Sequence, residues 1–149
     1  ITNLLFVAQR HKYHLEKSKH ILASMMPLTV ERVEDFSDEE IALWDALTMR
    51  FCKLQDLLGS KLFDAVLSFA GTTPLPVTII DKVHALEKMD IIPDANLWKD
   101  MRDTRNNLTH DYPDMPLFTA KTLNDTFVQV ETLLQIVDRI EQLVKTQRW

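Results

Sequence analysis

One apolar stripe constrains this chain more than any other feature. Ile41, Trp44, Thr48, Phe51, Gln55, Leu58, Leu62, Ala65 and Phe69 follow one another at alternating steps of three and four residues. Only an α-helix places positions so spaced on one face. Such a helix would be about 43 Å long at 1.5 Å per residue. It cannot bury that face by itself, so other helices must cover it. Ser37-Asp38-Glu39-Glu40 precedes the stripe and reads as a capping box, with Ser37 as N-cap and Glu40 reaching back. The stripe keeps step through Gly59, which predicts one helix to about Ala70. A break at Gly59-Ser60 is the alternative.

The rest of the chain supplies the partners. A first helix is expected from about Asn3 to Met26, on Leu4, Ala8, His11, Leu15, Leu22 and Met25, with Pro27 ending it. Residues 28–36 read as a loop with at most a short helical turn. Pro74 and Pro76 mark a connector, and a shorter helix follows from Ile79 to Lys88, with Ile80, Val83 and Leu86 or Glu87 inward. A further helix runs from about Ala95 to His110 or Asp111. Pro113 and Pro116 bracket a second loop. Thr119 or Thr122 then caps a last helix reaching about Gln147. With only two glycines and little alternation, the chain reads as all-α: an antiparallel helical bundle of four main helices plus one shorter helix. Its 149 residues suit a single domain spanning 1–149.

Composition narrows the function classes. The single cysteine, Cys52, excludes a disulfide framework and suits a reducing, cytoplasmic location. No signal peptide and no apolar run long enough for a bilayer is present, so no membrane partner is expected. No Gly-rich phosphate loop, Ser-His-Asp arrangement or convincing metal cluster can be read, and no cofactor is expected. The formal charge of −5 argues against a general nucleic-acid coat, although it leaves room for a local basic cleft. Arg10, Lys12, Lys17 and Lys19 against Glu16 form either a solvated helix face or a surface for RNA or an acidic partner.

Chemistry concentrates at Arg105-Asn106-Asn107-Leu108-Thr109-His110-Asp111-Tyr112. Leu97, Trp98, Met101 and Leu108 mark the stripe of that helix, and Arg105 stands four after Met101, where a core residue belongs. A guanidinium cannot shed its charge, so there it needs a partner or a wet cleft. Asp56, beside the stripe of the long helix, is the best-placed acid to pair with it. At ~100° per residue, Arg105, Thr109 and Tyr112 nearly align, whereas His110 points roughly 140° away. Arg105 and His110 therefore converge only where the helix ends or bends, or across a symmetric contact.

Arg105, four residues, His110, one residue and Tyr112, with asparagine directly after the arginine, resembles the HEPN (higher eukaryotes and prokaryotes nucleotide-binding) superfamily. The likeness is greatest to the HepT-like toxins of HEPN–MNT toxin–antitoxin pairs, which are helical bundles of about this length with the motif on a late helix. The resemblance implies a metal-independent endoribonuclease. Arg105 would hold the scissile phosphate and His110 would act as general acid or base while a 2′-OH attacks, with Asn106 orienting His110 or donating to a phosphate oxygen. It also implies a homodimer whose two motifs share one cleft. Tyr112 resembles the tyrosine to which an MNT (minimal nucleotidyltransferase) antitoxin adds AMP. Arg102, one turn before Arg105, is the nearest candidate for further RNA contact. A non-catalytic partner that docks or presents substrate to a nucleotidyltransferase is the alternative.

Overall fold

Ser37 accepts a hydrogen bond from the Glu40 amide at 3.1 Å, and the Ser37 amide donates to Glu40 Oε1 at 3.0 Å, so the capping box forms as expected. Arg32 also pairs with Glu40, and with the Ser37 amide it holds that carboxyl down to about 2. The helix it starts, α3, runs Asp38–Leu57 and continues through a wide turn at Leu58–Leu62 into α4, Phe63–Phe69. In this computed structural model, residues 1–109 and 115–147 are described. Their regular elements are all helices, with no strand among them.

Before α3 lie α1 (Thr2–Leu22), a tight 3₁₀ turn at Ala23–Met25, and a five-residue α2 (Val30–Glu34) capped by Thr29. After α4 come α5 (Ile79–Lys88), α6 (Ala95–Thr109) and α7 (Pro116–Thr146). Thr78 caps α5. Asp94 accepts from the Asn96 amide at 2.8 Å at the start of α6. Gly71, at φ 85, ends α4 in the left-handed conformation that lets the Thr72 amide reach back to the Leu67 carbonyl.

Side-chain pairings fix the directions. Lys12 meets Asp138 and Lys19 meets Glu131, so α1 and α7 run antiparallel. Gln55 meets Met101, and Gly59 lies against Trp98, so the α3–α4 rod and α6 are antiparallel too. Asn124 of α7 clamps the Leu28 backbone with two bonds, 2.8 and 3.0 Å, and ties the α1–α2 connector to the bundle. The core is aliphatic and aromatic, with Leu15, Leu47, Phe51, Leu58, Val137 and Ile140 fully buried. Long α1, α3–α4, α6 and α7 with a shorter α5 are the expected all-α bundle.

Several boundaries and faces differ from expectation. The wide turn accommodates one extra residue, with the Phe63 amide bonded to the Leu58 carbonyl five residues back. Beyond it the buried face is carried by Phe63, Val66 and Leu67, while Ala65 and Phe69 are only half-buried. Ile41, at the solvated start of α3, is exposed. Ile80 and Leu97 also face outward, because α5 and α6 bury a narrower strip: Val83 and Leu86 on one, Trp98, Met101 and Thr104 on the other. Thr119 and Thr122 lie inside α7 rather than capping it. Pro116 occupies the first turn, where its missing N–H leaves no helical bond unmade.

Candidate functional site

The last turn of α3 faces the second half of α6 through a polar cluster in an otherwise apolar contact. Gln55 is completely buried. Its amide nitrogen donates to the Met101 carbonyl at 2.9 Å, and its amide oxygen accepts from Arg102 Nη1 at 3.3 Å. That explains a glutamine on a core stripe: both ends of the amide are satisfied by α6, so burial leaves no polar atom stranded. Asp56, the next residue, leaves the stripe at an angle and receives Arg105 as a two-pronged fork. Arg105 Nε donates to Oδ1 at 3.0 Å and Nη2 to Oδ2 at 2.7 Å. Arg102 Nη1 donates to the same Oδ1 at 3.3 Å.

Arg105 therefore sits on the core stripe and reaches solvent at the cluster's edge, with 25% of its side chain exposed against 45% for Asp56. The Arg105 fork, ahead of Arg102, holds the Asp56 carboxyl below its ordinary range despite its partial burial. The same fork pushes the Arg105 guanidinium up. Two guanidinium groups face one carboxylate, so the cluster keeps an uncompensated positive charge. Cys52, one turn before Asp56, is half-buried, and burial pushes its thiol up although both arginines pull it down.

The wide turn shapes the cluster's other side. A Cβ on Gly59 would stand 3.2 Å from Trp98 Cζ2, so glycine permits the close approach of α6. Ser60 Oγ donates to the Asp56 carbonyl at 2.6 Å, one turn back along the same rod. Between these groups opens a cleft of about 320 Å³, lined by Asp56, Gly59, Ser60, Ile79, Trp98 and Arg102. A second cleft, about 340 Å³, lies beside the last turn of α6 against Trp44, Thr48, Asn107, Leu108 and Phe118. The indole N–H groups of Trp44 and Trp98 are buried and unpaired among the described residues.

Of the residues singled out by sequence, Arg105 and Asp56 meet. Asn106 is exposed, and its backbone carbonyl accepts from Thr109 Oγ1 at 2.8 Å. His110 and Tyr112 lie outside the described residues, as does the convergence of His110 with Arg105. The basic run of α1 is partly neutralised. Lys12 pairs with Asp138 and Glu141 of α7, and Lys19 with Glu131 at 2.9 Å, so acids of this chain occupy two of its four cations. Sequence reasoning did not foresee that Arg102 shares Asp56, or that Ser60 and Gly59 belong to the site. The available signal was the three-residue spacing of Arg102 and Arg105, which puts both on one face of α6. Among the described residues, no group of three His, Cys, Asp or Glu is placed to hold a metal ion. No helix among them is long and apolar enough to cross a membrane. No family model matches the chain, and neither does any curated protein or solved structure.

Proposed function

We propose that this chain is an RNA-cleaving HEPN-type toxin, a metal-independent endoribonuclease in which Arg105 holds the scissile phosphate and His110 moves the proton. One observation carries the reading. A helical arginine on a core stripe is drawn to the bundle surface and fixed by a carboxylate, with a second arginine one turn away on the same acid. Phosphoryl transfer without a metal needs a preorganised cation at the phosphate oxygens and a group that exchanges a proton near neutral pH. Arg105 fits the first requirement. Its fork to Asp56 fixes the guanidinium plane, and Nη1 meets no acceptor among the described residues. The motif spacing supplies the second requirement through His110, with Asn106 in support. In this reading the chain acts as a homodimer with both motifs in one cleft, in the cytoplasm. A nucleotidyltransferase antitoxin silences it by placing AMP on Tyr112, whose added charge and bulk would occupy the phosphate site.

A second reading has its own support. The Nε–Nη2 edge of Arg105 is committed to Asp56, as in a structural ion pair, which suits a non-catalytic docking partner of a nucleotidyltransferase. Purified chain, shown by mass spectrometry to be unmodified at Tyr112, is incubated with RNA in EDTA beside His110→Ala and Arg105→Ala. Cleavage is expected only in the wild type. Equal cleavage by all three, or none by any, would remove the nuclease reading and leave the docking module.

A further inference from the structure

The cleft beside Arg102 joins one arm of the Asp56–Arg102–Arg105 cluster to an apolar wall. Both guanidinium groups converge on one carboxylate within 3.3 Å, so the three groups form a single cluster whose positive charge one acid does not cancel. Arg102 uses only Nη1 for its protein contacts, and both of those bonds are 3.3 Å long. Its remaining N–H groups have no acceptor among the described residues. Next to this cation, Ile79 and the edge of Trp98 supply apolar surface, and Gly59 contributes no side chain to fill the space. Ser60 gives its proton to the Asp56 carbonyl, so toward the cleft its oxygen can only accept.

The volume of about 320 Å³ stands at the low end for ligand sites, enough for one ring with its attached group and far too small for a helix of RNA. We propose that this cleft is a subsite for one unpaired nucleotide of the RNA strand, with its phosphate at the mouth on Arg102, whose charge the Arg105 fork leaves largely unneutralised by Asp56, and its base against Ile79 and the edge of Trp98. The proposal rests on the RNA reading above and deepens it by naming the substrate form. A base stacked and paired in a duplex cannot turn into a cleft of this size, so the site takes single strands, loops or ends. Asp56 then fixes the two cations in register, and the amine of a base finds the Ser60 oxygen.

Calorimetry with the full chain tests this with adenosine 3′-monophosphate, adenosine and inorganic phosphate as probes. The monophosphate is expected to bind at least tenfold more tightly than either fragment. Ile79→Trp, which fills the cleft from its exposed lip, should weaken the monophosphate about tenfold and leave inorganic phosphate unchanged. Arg102→Gln should weaken both. Thermal melts establish that each variant is folded, and if Ile79→Trp is not, Ser60→Leu takes its place. No binding of the monophosphate, equal binding of monophosphate and phosphate, or a filled cleft that binds the monophosphate as well as wild type overturns the subsite. RNA cleavage by the same preparations separates the two proposals. Cleavage without the binding pattern removes the subsite alone, and the binding pattern without cleavage removes the nuclease alone.

Discussion

Replacing Asp56 by asparagine probes how firmly Arg105 is held. The substitution keeps the shape and one acceptor oxygen but removes the charge. A hydrogen bond to a charged group contributes about 1.5–3 kcal/mol, whereas exposed ion pairs contribute about 0.2–1 kcal/mol. With 45% of the Asp56 side chain and 25% of Arg105 exposed, solvent screens the pair and the value falls between these ranges. A loss of about 1–2 kcal/mol is expected, or roughly 3–6 °C in Tm for a domain of this size. A double-mutant cycle with Arg105→Gln in urea should give a coupling of about 1 kcal/mol at pH 7. The same cycle with Arg102→Gln should give less, because that contact is longer and uses one nitrogen. The pH dependence has a definite sign. The folded Asp56 pKa lies below its unfolded value, so its stabilisation is present above about pH 4 and is lost as pH falls through the lowered folded value. The coupling should therefore weaken as the pH is taken down from about 4, and 1 M salt should reduce it. A coupling indistinguishable from zero at pH 7, or one that persists unchanged at low pH, would refute the fork as the force holding Arg105.

Two further outcomes follow from the same contact between α3 and α6. Gln55→Leu keeps the bulk but leaves the Met101 carbonyl and an Arg102 N–H facing an apolar side chain, so a loss of about 1–3 kcal/mol is expected in urea unfolding. Unchanged stability would show that these bonds do not hold α3 to α6. Gly59→Leu pushes carbon into Trp98, which is 4% exposed and has no room to withdraw. The expected loss is about 1–3 kcal/mol, seen as a lowered Tm, and an unchanged Tm would mean that α6 can move away freely.

Most of the fold was legible because its signals are local. The capping box at Ser37, the spacing of the α3 stripe and the bounds of α5 need no knowledge of the rest of the chain. The start of α7 was misplaced because threonine is a good cap and Pro116 looked like loop punctuation, whereas proline is equally at home in a first helical turn. Ile80 and Leu97 were set inward because periodicity gives a face but not its width, which depends on how many neighbours cover it. The Arg105–Asp56 pairing could be anticipated because an uncancellable charge on a core stripe demands an acid, and Asp56 stood nearest on the partner stripe. The share of Arg102 in that acid was signalled only by its three-residue spacing from Arg105, because it also depends on the axial register of α3 against α6, which no spacing within either helix sets.

The wide turn at Leu58–Leu62 is where that register and the chemistry meet. An extra residue in the spiral rotates everything after it, so the face that buries Leu54 and Leu58 passes to Phe63 and Leu67. It also leaves Gly59 turned to Trp98 and Ser60 bonded to the Asp56 carbonyl. Were the helix regular, the apolar stripe would run straight on and the contact with α6 would close by side-chain packing. With the turn widened, the rod keeps its core on both sides of a short polar interruption. Asp56 stands at the mouth of that interruption with both arginines of α6 on its carboxylate. Such a bulge carries backbone carbonyls that a regular helix would satisfy internally, and it persists only where its surroundings over-determine it. Here Ser60, Gly59 and Trp98 do so. The departure from regular helix, the paired cations and the cleft are consequently one feature of the sequence between Cys52 and Leu62, read against a single face of α6.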